Sequence, residues 1–187
     1  MLEPKQKRMT FDEFLAWAEE QDGRWELIDG VPVAMAPERV IHLVRKAAVH
    51  AALRAAIKAS GLECHALPDG ATVKTADGNS FEPDALVYCG PKLPGDAIVV
   101  ENPVIIVEVS SPSTGKTDTG IKLAGYFSIP SVQHYLIVHP DGPPVIHHRR
   151  APGATPGDDI LTRIVPDGRF RLDPPGLDLE IQDLFSD

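Results

Sequence analysis

Two acids in this chain stand where an unpaired charge would be costly. Glu108 follows Val104, Ile105, Ile106 and Val107, a β-branched apolar run with the character of a central strand buried on both faces. Asp84 precedes a second short run, within F-E-P-D-A-L-V-Y. A carboxylate at the end of a buried strand must meet a cation, collect hydrogen bonds or take up a proton. Two of them at neighbouring strand ends can hold a hard divalent cation such as Mg²⁺, leaving octahedral positions for water and a phosphate oxygen. Lys122 joins them if the helix predicted after Glu108 turns back toward the strand end, because Asp118, Lys122 and Tyr126 recur at i, i+4 and i+8 on one face. Taken alone, Asp118 and Lys122 read equally well as an exposed pair. Glu26, in W-E-L-I-D-G, alternates with Trp25 and Leu27 and so lies on the opposite face from both, which reads as readily as a solvated face as it does as a functional position.

Two other constellations compete for the chemistry. Ser110 to Thr117, S-S-P-S-T-G-K-T, follows an apolar strand and precedes a helix, the context of a phosphate-binding loop. Its first glycine is missing, and Pro112 removes a backbone donor that such a loop needs. His134, His139, His147 and His148 fall together in a predicted C-terminal hairpin. Adjacent His147 and His148 point to opposite faces and cannot share one metal, so these read as surface histidines.

The elements that must position these residues follow from pattern. Thr10 and Glu13 form a capping box for a helix over residues 9–20. Trp25 to Met35 reads as a hairpin about Asp29-Gly30. Residues 37–60 are helical, with an apolar stripe from Val40 through Ala55, a solvated face carrying Arg45 and Lys46, and Gly61 as the terminating residue. Short strands cover 62–66, 71–76 and 85–88, and Pro83 fixes Asp84 at a sheet end. A loop over 110–117 leads to a helix over 118–128 and a hairpin of 132–139 with 144–150. Strands at 160–165, 170–172 and 179–181 close one edge.

Composition limits the possibilities. The 187 residues, 43% hydrophobic, can bury one core, and no stretch approaches the roughly 18–20 apolar residues of a membrane span. The expectation is one domain over residues 1–187 with a flexible stretch at 1–9. The start, M-L-E-P-K-Q-K-R, is not a secretory signal. Cys64 and Cys89 lack metal-ligand spacing and read as reduced thiols of a cytoplasmic protein. A net charge of −9 counts against a general nucleic-acid coat but not against a local metal-dependent phosphodiesterase site.

The segments W-E-L-I-D-G, P-D-A-L-V-Y, V-I-I-V-E-V-S-S-P-S-T, D-T-G-I-K-L-A-G-Y and S-V-Q-H-Y-L-I-V-H together resemble the "putative restriction endonuclease" family abundant in cyanobacteria and other bacteria, within the PD-(D/E)xK nuclease superfamily. Pro83-Asp84 matches the first half of that motif and Glu108-Val109-Ser110 the second. Ser110 stands where the lysine is expected, and Lys122 matches branches in which the lysine has moved to the following helix. His139 and Tyr135-Leu136 also depart from the family pattern. The resemblance implies an α/β (α+β), restriction-endonuclease-like fold, a mixed β-sheet flanked by helices. It also implies active-site positions at Glu26, Asp84, Glu108 and Lys122. The expected activity is Mg²⁺- or Mn²⁺-dependent hydrolysis of nucleic acid, DNA first, by a homodimer. Asp84, Glu108 and the Val109 carbonyl would hold the metal, Lys122 would act on the attacking water, and Ser110 and Tyr126 would contact phosphate. An inactive binding or assembly module on the same fold is the alternative, with a nucleotide-binding protein using Ser110–Thr117 as the third.

Overall fold

A computed structural model describes residues 8–110, 115–154 and 159–186. Helix α1, Phe11–Ala18, begins at the predicted capping box: the Thr10 hydroxyl accepts from the Glu13 N–H, and Glu13 Oε2 accepts from the Thr10 N–H at 2.8 Å. Strands β1, Trp25–Ile28, and β2, Val31–Ala34, pair antiparallel about Asp29 and Gly30. The φ values of these two residues, 51° and 76°, are those a type I′ turn requires. Helix α2, Val40–Ser60, stops at Gly61, whose φ of 68° lets its N–H close onto Ile57 O.

Strands β3 (Cys64–Pro68), β4 (Val73–Lys74), β5 (Ser80–Phe81), β6 (Ala85–Cys89) and β7 (Pro103–Val109) follow. Helix α3, Gly115–Ser128, leads to β8 (His134–Val138), β9 (Val145–Arg150), β10 (Ile160–Val165), β11 (Arg169–Leu172) and β12 (Leu177–Glu180), and a 3-10 helix covers Ile181–Phe185. The main sheet has the order β10-β9-β8-β7-β6-β3. Its β7–β8 pair is parallel and the others are antiparallel, so the chain must cross over between β7 and β8, and α3 makes that crossover. This is the expected mixed sheet flanked by helices.

Alternation along the strands divides the core in two. Val87, Ile105, Val107, Leu136 and Val145 pack with Val49 and Leu53 of α2 and with the β11–β12 hairpin. Leu86, Ile106, Tyr135 and Ile137 face the other way, against Tyr126 and Phe127 of α3 and against Val73 and Phe81 of a smaller sheet ordered β2-β1-β5-β4.

Several expectations change. Helix α3 starts three residues earlier than predicted, at Gly115, and residues 111–114 of the phosphate-loop reading lie outside the described residues, as do residues 1–7 of the N-terminal stretch. Strands β11 and β12 form their own hairpin instead of extending the sheet edge. The face assigned to α2 is rotated: Arg45 and Lys46 are buried, whereas Val40, Leu43 and Val44 are exposed. Arg45 donates to Pro140 O and Leu184 O, so its charge is satisfied while its stem packs.

Cys64 and Cys89 are not free thiols. They are opposite partners on β3 and β6 and form a disulfide, a pairing that register decides and spacing along the chain does not reveal. Among the described residues no helix is long and apolar enough to cross a membrane.

Candidate active site

Asp84 and Glu108 meet because β6 and β7 are antiparallel neighbours. Ala85 pairs with Val107, so the next step of the register sets Asp84 opposite Glu108. Alternation puts both on the side of Leu86 and Ile106, beneath α3. The Val109 N–H donates to Asp84 Oδ2 at 2.5 Å, and through this amide Val109 enters the site.

Lys122 comes down from α3. Gly125 lets that helix lie close, since a Cβ there would stand 2.8 Å from Phe81 Cε2 and 3.1 Å from Thr75 Cγ2. Lys122 Nζ lies 2.9 Å from Glu26 Oε1 and 3.2 Å from Glu108 Oε1. The Tyr126 hydroxyl donates to the same Glu108 oxygen at 2.6 Å. Glu26, brought in by β1, also accepts the Glu82 N–H at 3.2 Å. Glu26, Asp84, Glu108 and Lys122 are each at most 8% exposed, which overturns the solvated-face reading of Glu26 and the surface-pair reading of Lys122. Ser110 is half-buried at the strand end, and its carbonyl accepts from His139 Nδ1–H at 2.9 Å.

A second lysine completes the pocket. Lys46 Nζ lies 2.7 Å from Asp84 Oδ1 and 3.1 Å from Asp69 Oδ2, and it hydrogen-bonds Glu38. Among the described residues, Glu38, Asp69 and Asp84 are the three acids whose ligand oxygens fall within 4.8 Å of one another, a spacing one cation can bridge. Arg24 extends the network, donating to Asp69 at 2.9 Å and to Glu82 at 2.7 Å. Six carboxylates (Glu26, Glu38, Asp69, Glu82, Asp84, Glu108) thus share three cations (Arg24, Lys46, Lys122).

The charge surplus shows in the electrostatics. Burial pushes the Glu108 carboxyl up to about 7; Lys122 and the Tyr126 hydroxyl pull it down, while Asp84 and Glu26 push it further up. Asp84 is raised too, burial outweighing the Lys46 charge and the Val109 N–H. Lys46 is held above the ordinary lysine value because Asp84, Glu38 and Asp69 together outweigh its burial. The Tyr126 phenol is raised by burial first and by the Glu108 charge second.

An all-oxygen donor set with more negative charge than its own cations neutralise fits a hard divalent ion. The acids converge most tightly on the Lys46 side of Asp84, while Glu26 and Glu108 stand on the Lys122 side. The pocket therefore combines cation-binding acids with two ammonium groups, the residue types that phosphoryl-transfer chemistry uses.

The sequence reading brought Asp84, Glu108, Lys122 and Glu26 together and missed Lys46, Glu38, Asp69 and Arg24. Lys46 carried a signal. It precedes Val49 and Leu53 by three and seven residues, so helical spacing places it on the core face. Asp69, in L-P-D-G, reads as a turn residue, and Glu38 precedes a helix without motif context. The histidine reading also changes: His134, His147 and His148 are buried.

The protein resembles others in sequence and fold. It is 24% identical over 188 residues to a Synechocystis sp. (strain ATCC 27184 / PCC 6803 / Kazusa) protein described as "Uncharacterized protein slr1290", covering 95% of this chain and 92% of that one. A crystal structure from Anabaena variabilis ATCC 29413, described as a "putative nuclease belonging to DUF820", superposes with a TM-score of 0.72 at 20% identity, over 95% of this chain and 97% of that one. The model of the family described as "Uma2: Putative restriction endonuclease" matches residues 11–181, a span holding every residue of the acidic pocket, and the chain belongs to that family.

Proposed function

We propose that the protein is a metal-dependent nuclease that hydrolyses phosphodiester bonds of nucleic acid, with DNA as its substrate. The observation that carries this reading is Asp84 set opposite Glu108 across β6 and β7, with the buried ammonium of Lys122 resting on Glu108. Asp84, Glu108 and the Val109 carbonyl would hold Mg²⁺ or Mn²⁺, which supplies charge for a phosphoryl oxygen as the transition state develops. Lys122, fixed between Glu26 and Glu108, orients the attacking water and favours loss of its proton. Glu26 keeps that ammonium in place, and Ser110, directly after β7, faces the phosphate. Tyr126 spends its hydroxyl on Glu108 and so orients the carboxylate. Cutting both strands of a duplex takes two centres, which a homodimer supplies.

The inactive binding module remains the second reading, favoured by the native cations already paired to these acids and by the net charge of −9. Incubating the protein with plasmid, single-stranded DNA and RNA at millimolar Mn²⁺ separates the two. A nuclease cuts at least one substrate only with metal, and loses roughly a hundredfold in rate as Glu108→Gln or Lys122→Met. Absence of cleavage across the panel, in protein that still binds DNA, selects the inactive module.

A further inference from the structure

Lys46 belongs to no part of the nuclease reading, yet its ammonium touches the acid on which that reading depends. It arrives from α2, on the opposite side of the sheet from Lys122, and is 8% exposed. Asp84 has both oxygens engaged: Oδ1 by Lys46 at 2.7 Å and Oδ2 by the Val109 N–H. Glu38 and Asp69 hold the same ammonium from the other side. A magnesium ion needs oxygen contacts of about 2.1 Å in near-octahedral array. With an ammonium against the same carboxylate oxygen, two positive centres would crowd one buried site.

Resting on the metal-site reading above, we infer that Lys46 is a built-in, exchangeable counter-cation of Asp84: a divalent ion reaches Asp84 only as Lys46 lets go, and Glu38 and Asp69 keep the released ammonium moored beside the site. Lysine suits the task, being a point charge on a flexible four-carbon stem, where a forked guanidinium would be committed to fixed geometry. Asp84 is then neutralised in both states, by its own lysine or by the metal, and never faces Glu108 as an uncompensated buried charge. Lys46 acts here as a positioning residue, through Asp84.

The test is Mn²⁺ binding by calorimetry, with Mn²⁺-dependent thermal stabilisation as the second readout. Lys46→Met is expected to bind Mn²⁺ at least tenfold more tightly than the wild type, and to gain more in melting temperature when Mn²⁺ is added. Adding Asp84→Asn should abolish the gain, and Lys46→Arg, whose forked guanidinium lets go less readily, should bind Mn²⁺ no more tightly than the wild type. Arg24→Met removes one positive charge from the same network without touching Asp84, and it should shift affinity less than threefold. If Lys46→Met is folded and binds no more tightly than the wild type, or if Arg24→Met tightens binding as much, the exchange is wrong. Should Lys46→Met not fold, the pair Lys46→Met/Glu38→Gln and Glu38→Gln gives the same comparison with one unpaired acid fewer. Glu108→Gln tests the underlying reading separately. Wild-type binding that ignores Glu108 removes the Asp84–Glu108 metal centre, whereas the Lys46 comparison is decided only by the gain.

Discussion

Two clusters of buried polar side chains lie on opposite faces of the same sheet, and they solve the problem of burial differently. At the ends of β6 and β7, the acidic pocket sets countercharge against buried acids from two helices: Lys122 of α3 between Glu26 and Glu108, and Lys46 of α2 among Glu38, Asp69 and Asp84. On the α2 side, β8 and β9 bury His134 and His147 as neutral rings. Arg163 Nε–H donates to His147 Nδ1 at 3.1 Å, leaving His147 Nε2–H to donate to His134 Nδ1 at 2.9 Å, and His134 Nε2–H to donate to Pro174 O at 2.9 Å. One tautomer at each ring satisfies every bond in this chain, so no charge is needed. Burial, with the neighbouring arginines adding to it, lowers His134 to about 4, and burial with His134 and the arginines lowers His147 to about 3. A neutral relay fastens strands to the hairpin segment behind them. An ionic pocket with surplus acid is costly as a fastener and suits a cation-handling site.

The largest effect comes from breaking the ionic side. Lys122→Met leaves Glu26 and Glu108 facing each other without a cation, and removing one partner of a buried pair costs roughly 3 kcal/mol or more. Urea unfolding at neutral pH measures this. A midpoint equal to the wild type would mean that the contacts are independent pairs with no shared charge to lose.

That asymmetry also explains what the sequence made legible. The capping box at Thr10, the Asp29-Gly30 turn and the stop at Gly61 are local signals, and the elements form where those residues put them. Asp84 and Glu108 were legible because acids at the ends of β-branched runs violate the pattern of a buried strand. Lys46 was harder to read: Val40, Ile41 and Val44 extend the apolar stripe of α2 into solvent, which shifts the apparent core face away from Arg45 and Lys46. Asp69, Glu38 and the Cys64–Cys89 pair depend on which strands become neighbours, and register across a sheet is not written in either strand alone. The histidines read as surface residues because their alternation cannot show that β11 and β12 fold back over β9, where Phe170 packs 5.8 Å from the His147 ring.

Acid sharpens the comparison, because the two clusters respond with opposite sign. For His134 and His147 the native values lie below the 6.5 of an ordinary histidine, so the unfolded chain binds more protons. Their contribution is complete above pH 6.5 and is lost as pH falls toward 4, on the order of 3 kcal/mol for His134 alone. Glu108 lies at about 7, above the 4.5 of an ordinary glutamate, so folding is favoured as pH falls from 7 toward 4.5. Measuring urea midpoints in Glu108→Gln removes the Glu108 part of that opposing slope and leaves only the raised Asp84. Stability should then fall steadily between pH 6.5 and 4, and His147→Gln should flatten the decline. A flat profile in Glu108→Gln would show that the histidine relay is not held neutral by the fold.

The smallest effect concerns one hydroxyl. Tyr126 is fully buried and donates to Glu108 Oε1, the oxygen that also faces Lys122. Tyr126→Phe keeps the ring against Phe81 and Tyr135 and removes only this donor. Glu108 retains Lys122, so the carboxylate is not orphaned and the cost should be about 1 kcal/mol, the ordinary net worth of a hydrogen bond. The same variant decides between two roles for the residue. If Tyr126 orients Glu108, Mn²⁺ affinity changes and the KM for nucleic acid does not. A raised KM with unchanged Mn²⁺ affinity would return Tyr126 to direct phosphate contact, which a fully buried hydroxyl reaches only if α3 moves. The outcome therefore reports whether the ionic pocket works as the rigid structure seen here or opens on its substrate, a question the neutral relay on the other face never poses.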